Sequence, residues 1–208
     1  MGMMKFAVTP GFEVGGTLFK PEQLALLGSI IGDNAKIELT NFKQLYVEIE
    51  EERLEEVKGE LTKTGLEIYP VGYVTKSLIT CNFCRGAEDA GLDIAQKLNQ
   101  AIAGITTPSP LKVGYAGCAL GTSEPLLKDI GVVKMRDEFD IYIGGEPKSL
   151  KPIFAELFVT GVNTEQMMNI VQRVITYFQI NGKNKEKFSK FVKRISITEL
   201  REAIASQD

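Results

Sequence analysis

The strongest constraint on the fold is the order of strand-like and helix-like patterns in residues 1–70. Alternating apolar residues indicate strands, and leucine or isoleucine at three- and four-residue spacing indicates amphipathic helices. The predicted elements are a strand, a helix, two strands and an acidic helix, at Lys5 to Val8, Pro21 to Ile31, Lys36 to Thr40, Leu45 to Ile49 and Glu51 to Thr64. This β-α-β-β-α order predicts a compact α+β lobe with its helices on one face of a sheet.

The second part of the chain, residues 71–208, predicts a mixed α/β lobe. Its predicted elements are a strand at 71–80, a helix at 86–103, a strand at 111–115, a short helix at 123–129 and two paired strands at 130–134 and 141–143. The remainder reads as helical, and Asn163 with Gln166 forms a capping box at the start of its main helix. We therefore predict two domains, 1–70 and 71–208, the second ending in a helical tail.

Composition excludes several functional classes. The 208 residues contain no histidine, and the formal net charge is -3. Absence of histidine excludes Ser-His-Asp catalysis and histidine-ligated zinc or haem. The acidic balance argues against nucleic acid, because phosphate binding needs a basic surface. No apolar run approaches the ~20 residues that span a bilayer, and no signal peptide pattern is present. We expect a cytoplasmic protein with no membrane partner.

Three cysteines lie where predicted strands give way to loops. Cys81 and Cys84 belong to Cys-Asn-Phe-Cys-Arg-Gly, and Cys118 belongs to Ala-Gly-Cys-Ala-Leu-Gly, each ahead of a predicted helix. A helix N-terminus favours thiolate over thiol, and soft thiolates without histidine favour an iron–sulfur cluster. The spacing alone also allows zinc held by three thiolates and one oxygen, a redox disulfide between Cys81 and Cys84, or three ordinary buried side chains.

The motifs taken together show a resemblance that covers nearly the whole chain. It is carried by Gly15–Leu24, Lys36–Leu66, Thr80–Asp89, Lys112–Val132, Lys151–Phe158 and Tyr177–Phe178. These segments resemble the nitrite/sulfite reductase family, which carries sirohaem and a [4Fe-4S] cluster, and in particular half of the repeated unit in the C-terminal part of assimilatory NAD(P)H nitrite reductase large subunits. The resemblance implies a ferredoxin-like half-domain in residues 1–70 and an iron–sulfur domain in residues 71–208.

The resemblance also implies a function and a set of site residues. In the family, four thiolates hold the cluster, the last one bridges to the sirohaem iron, and electrons from a redox partner protein reduce sulfite or nitrite. Cys81, Cys84 and Cys118 match ligand positions, whereas Arg85 and Lys112 match cations near the cluster or the bound anion. Because the family builds its haem site between two pseudosymmetric halves, a single half implies a homodimer.

Three features depart from the family pattern. Fewer residues separate the first cysteine pair, Thr122 stands where the fourth cysteine is expected, and the arginines expected near the 36–40 strand are absent, which leaves Lys36 and Lys43. Three thiolates can hold a [4Fe-4S] cluster with one iron open to Thr122 or another ligand, or a [3Fe-4S] cluster. The alternatives to an oxyanion reductase are therefore a cluster-only electron-transfer protein and a non-catalytic binding protein that kept the fold.

Overall fold

A computed structural model describes residues 2–148 and 150–205 and contains two β-sheets. In the first sheet and its helices the elements are β1 Met3–Thr9, α1 Pro21–Ile31, β2 Lys36–Leu39, β3 Leu45–Glu50, α2 Leu54–Lys63 and β4 Glu67–Pro70. Those that follow are β5 Ile79–Thr80, α3 Ala87–Ala90, α4 Leu92–Ile102, β6 Val113–Ala116, β7 Ile130–Met135, β8 Glu138–Ile143, β9 Glu156–Val162, α5 Thr164–Asn181, α6 Phe188–Ile195 and α7 Ile197–Ala205. The predicted α+β class is confirmed.

The first sheet has the antiparallel strand order β2-β3-β1-β4. With helices after β1 and β3, this is the ferredoxin-like β-α-β-β-α-β arrangement. Its core joins apolar residues of the sheet to residues of α1 and α2, among them Phe6, Val47, Leu27 and Leu61. The sequence prediction omitted β4, because four residues that contain Glu67 and end in Pro70 carry little strand signal.

The second sheet has the order β5-β6-β7-β8-β9. β5, β6 and β7 run parallel, whereas β8 and β9 are antiparallel to their neighbours. Helices α4 to α7 cover one face, and the buried Tyr115, Phe139 and Phe178 belong to that core. The predicted hairpin of β7 and β8 is confirmed, as is the capping box, in which Asn163 and Gln166 exchange two hydrogen bonds of 2.9 and 3.0 Å.

Three sequence predictions in this half were wrong. The strand at 71–80 is regular only at Ile79–Thr80, because Val74 and Thr75 make single bridges to separate segments. The helix at 86–103 is broken at Gly91, whose φ of 68° is left-handed and ends α3 before α4 begins. The tail is not wholly helical: β9 forms the edge of the sheet, and its pairing with β8 is irregular.

Hydrogen bonds between polar side chains join the part of the chain around the first sheet to the part around the second. The Asn99 amide on α4 donates to the Tyr69 hydroxyl on β4 at 2.8 Å, and the Gln44 amide donates to the Ser77 hydroxyl at 2.5 Å. Burial and the neighbouring Glu67 carboxylate raise the pKa of Tyr69, so this hydroxyl stays protonated. The boundary between the predicted domains falls in this region and remains a prediction. Within the described ranges, no helix is both long and apolar enough to cross a membrane.

Candidate functional site

Cys81 lies directly after β5 and is almost fully buried, with 7% of its surface exposed. The backbone N–H of Gly117, which follows β6, donates to the Cys81 Sγ at 3.3 Å. The Cys81 N–H in turn donates to the Tyr115 carbonyl at 3.1 Å. Because β5 and β6 are parallel neighbours, their carboxyl ends meet at one edge of the sheet, which brings the Cys81 segment beside the Cys118 segment.

The loop from Cys81 to Gly86 is anchored by a buried aromatic ring. Phe83 is fully buried and lies between the rings of Phe12 and Tyr115, at centroid distances of 5.8 and 6.1 Å. The Phe83 backbone has a φ of 49°, a left-handed conformation that costs a non-glycine residue energy and is held here by the ring packing. The Phe83 ring lies in the core, whereas the next two residues, Cys84 and Arg85, are exposed on the outside of the loop.

Cys118 is partly exposed and begins a segment, residues 118–129, that returns across the second sheet. Three glycines allow the segment to lie flat on the sheet. A side chain at Gly114 would collide with Lys128, one at Gly131 would collide with the Pro125 backbone, and one at Gly145 would collide with the Lys128 carbonyl. The absence of side chains on this face therefore fixes the path of the loop that carries Cys118 and Thr122.

A cationic cleft of about 410 Å³ lies next to Cys118. Its charged lining consists of Arg85, Lys134 and Arg136, opposed by Asp89. The Lys134 ammonium donates to the carbonyls of Asp89 at 3.0 Å and of Arg136 at 2.6 Å, which ties the end of α3 to the β7–β8 turn. The sequence prediction missed Lys134 and Arg136. The sequence could have indicated them only by their place at the carboxyl end of a predicted strand, β7, which runs parallel to β6.

Lys43 brings a cation from the ferredoxin-like lobe to the cysteine edge. Its ammonium donates to the Thr80 carbonyl at 2.8 Å, one residue before Cys81. Burial lowers the pKa of Lys43, and interaction with Cys81 partly offsets that effect. Lys36, in contrast, lies on the exposed edge strand β2, so of the two lysines named from the sequence only Lys43 reaches this edge.

Lys112 lies at the amino end of β6, away from Cys118 and from Arg85. Its backbone N–H donates to the Asp129 carboxylate at 2.8 Å, and its side chain helps to line a separate cleft of about 200 Å³ with Glu146 and Lys187. Burial raises the pKa of Asp129 to about 7. The structure therefore brings Arg85 together with Cys118 but does not bring Lys112 to the same cleft.

The residues present fit an iron–sulfur group in donor chemistry. Cys81, Cys84 and Cys118 lie on loops at one sheet edge, an N–H group points at one of the thiols, and cations surround the edge. Ser123 adds a buried hydroxyl that has no hydrogen-bond partner among the described residues. Among residues 2–148 and 150–205, no three His, Cys, Asp or Glu side chains stand close enough together to hold one metal ion. The assignment of the three cysteines as cluster ligands stays a prediction.

Comparison with known proteins decides the family. Residues 77–208 match the family described as the nitrite and sulphite reductase 4Fe-4S domain. The chain belongs to this family. The match includes all three cysteines and the whole second sheet, so the resemblance inferred from the motifs is confirmed, and family membership supports an iron–sulfur cluster.

Two curated relatives and one solved structure are similar to this chain. A cobalt-factor III methyltransferase of Priestia megaterium is 25% identical over 93% of this chain and 35% of its own length. An assimilatory-type sulfite reductase of Nitratidesulfovibrio vulgaris is 22% identical over 58% of this chain and 55% of its own length. The crystal structure of dissimilatory sulfite reductase I shares the fold, with a TM-score of 0.74 and 11% identity over 98% of this chain and 68% of that one. The chain thus spans about a third and about half of these two curated relatives.

Proposed function

We propose that this protein is an iron–sulfur redox protein in which Cys81, Cys84 and Cys118 hold a [4Fe-4S] or [3Fe-4S] cluster. The observation that carries the proposal is the contact between the Gly117 N–H and the Cys81 Sγ, because it brings two cysteine segments from adjacent parallel strands to one edge. Hydrogen bonds to sulfur and nearby charge both set the potential of such clusters. A cluster here accepts an electron from a redox partner protein and passes it on.

The preferred version of this function is reduction of a small oxyanion, either sulfite or nitrite. Support comes from the cleft beside Cys118, where Arg85, Lys134 and Arg136 outnumber one carboxylate and supply donors suited to an anion. A sirohaem bound between two copies of the chain would supply the multi-electron chemistry, while this chain supplies the thiolates and the cations. This version therefore includes a homodimer.

A second candidate, electron transfer by the cluster alone, is favoured by two observations. Thr122 replaces the expected fourth thiolate, which in the family resemblance joins the cluster to the haem. In addition, a relative that aligns with 93% of this chain is named a methyltransferase, so this domain also occurs in proteins not named as reductases. In either version reduced thiols are needed, which supports a cytoplasmic location.

Anaerobic purification followed by visible spectroscopy, with iron and acid-labile sulfide counted per chain, separates these functions. A cluster with sirohaem gives intense haem bands, and a cluster alone gives a broad brown absorption from sulfur-to-iron charge transfer. Turnover of sulfite or nitrite with a reduced dye then tests the reductase version. A protein that stays colourless and iron-free after reconstitution with iron and sulfide refutes both versions.

A further inference from the structure

Thr122, at the position of the missing fourth thiolate, and the next residue, Ser123, are both hydroxyl residues but differ in their surroundings. Thr122 is exposed. Ser123 is 4% exposed, and its Oγ is buried without a hydrogen-bond partner in the part of the chain that the structure describes. An unpaired buried hydroxyl costs about 1–3 kcal/mol, so a native protein normally provides it with a partner. A partner for Ser123 is therefore expected at this point of the structure.

Two hydrogen-bonded turns follow each other between Cys118 and Glu124. The Gly121 N–H donates to the Cys118 carbonyl at 3.2 Å, and the Glu124 N–H donates to the Gly121 carbonyl at 2.8 Å. These two consecutive turns keep residues 118–124 compact. Glu124, with a left-handed φ of 53°, changes the chain direction immediately after Ser123.

Lys43 relates the residue after Ser123 to Cys81 through its charge. The Lys43 ammonium interacts electrostatically with both Cys81 and Glu124, the residue that follows Ser123. It also donates to the Thr80 carbonyl, directly before Cys81. Lys43 thus lies beside the Cys81 segment and within electrostatic range of Glu124, and the contact between the Gly117 N–H and the Cys81 Sγ holds the start of the Cys118 segment at the same edge.

We infer that the Ser123 hydroxyl, and not that of Thr122, supplies the oxygen ligand for the cluster iron that lacks a cysteine. This inference rests on the proposed iron–sulfur function. As the iron–oxygen bond forms, the hydroxyl proton passes to water, and the alkoxide occupies the fourth ligand position. A buried side chain is suited to this task because the protein excludes competing water, which an exposed Thr122 does not.

The test compares Ser123→Ala and Ser123→Cys with two control variants, all purified and reconstituted without oxygen. Thr122→Ala removes the neighbouring hydroxyl. Thr75→Val removes another buried hydroxyl without a partner among the described residues, and Thr75 lies six residues before Cys81 in the chain. Iron and sulfide are counted per chain, and electron paramagnetic resonance distinguishes the oxidised [3Fe-4S] form, which is paramagnetic, from the oxidised [4Fe-4S] form, which is silent.

The inference predicts that the parent protein holds a [4Fe-4S] cluster and that Ser123→Ala loses about one iron in four and gains the [3Fe-4S] signal. Ser123→Cys restores the full iron content with a stronger thiolate ligand, and both controls match the parent. The inference is overturned if Ser123→Ala keeps its cluster unchanged, if Thr122→Ala causes the loss instead, or if the parent is already [3Fe-4S]. An iron-free parent protein instead refutes the proposed function, so the two failures are distinguishable.

Discussion

Gly117 occupies the tightest position at the cysteine edge, and its replacement by alanine tests the proposed architecture. A methyl group at Gly117 would lie 2.6 Å from the Ala90 Cβ and 2.7 Å from the Ala90 carbonyl oxygen, at the end of α3. An ordinary contact of a methyl carbon is about 3.5–4.0 Å, so the overlap is roughly 1 Å. Because it involves backbone, a side-chain rotation cannot relieve it. Overpacking of this kind costs about 1–3 kcal/mol.

To relieve this overlap the backbone at residue 117 has to shift, and the shift should separate its N–H from the Cys81 Sγ that accepts it. We therefore expect Gly117→Ala to lower the free energy of unfolding by about 2 kcal/mol and the midpoint temperature by about 4–8 °C. Urea unfolding followed by circular dichroism measures the first, and a thermal scan measures the second. Iron content of the reconstituted variant should fall in parallel.

Gly59→Ala is the matched control, because it is the same substitution in the helix α2, where an added methyl group meets no atom within 4 Å. That variant should be more stable than the parent by about 0.5–1 kcal/mol, since glycine weakens a helix interior. If Gly117→Ala unfolds at the same urea concentration as the parent and keeps its iron, the close packing of α3 against the end of β6 is incorrect.

Three further predictions concern charge and ligation. Cys118→Ala, which leaves no donor atom at this position, should abolish cluster retention, measured as iron and sulfide per chain; full retention would remove Cys118 from the ligand set. Lys43→Met should lower the reduction potential of the cluster in a spectroelectrochemical titration, because a cation near Cys81 stabilises the reduced, more negative form. The pKa of Asp129 is raised from 3.8 to about 7, so the folded state holds its proton more tightly and stability should fall as pH rises between these values. Asp129→Asn should flatten that fall in urea titrations at several pH values, and an unchanged slope would contradict the assignment.

The sequence predicted the parts of the fold that local signals determine. Pro21 is the first residue of α1, and the capping box of Asn163 and Gln166 begins α5. Both helix starts were therefore predicted correctly. The strand β9 was missed because its exposed and buried residues do not alternate regularly and a long helix follows. The break at Gly91 was missed because glycine also occurs inside helices, and only its left-handed φ ends α3.

The candidate site was predictable in its cysteines but not in its full set of cations. Cys81 and Cys118 could be placed at strand ends because each one follows a β-branched or alternating segment. Lys134 and Arg136 enter the cleft through the parallel pairing of β6 with β7, a contact between segments that no local pattern specifies. Thr122 is exposed and Ser123 is buried, and the sequence of two adjacent hydroxyl residues does not show which of them is buried.

The outward position of Cys84 makes the proposed site vulnerable as well as accessible. One corner of a cluster held there would meet the solvent directly, so a donor protein could touch it without crossing a layer of side chains. Dissolved oxygen and peroxide would reach the same sulfur, and an oxidised thiolate no longer binds iron. The working lifetime of such a protein would then be set at Cys84, and a partner that covers this corner would protect the cluster while it delivers electrons.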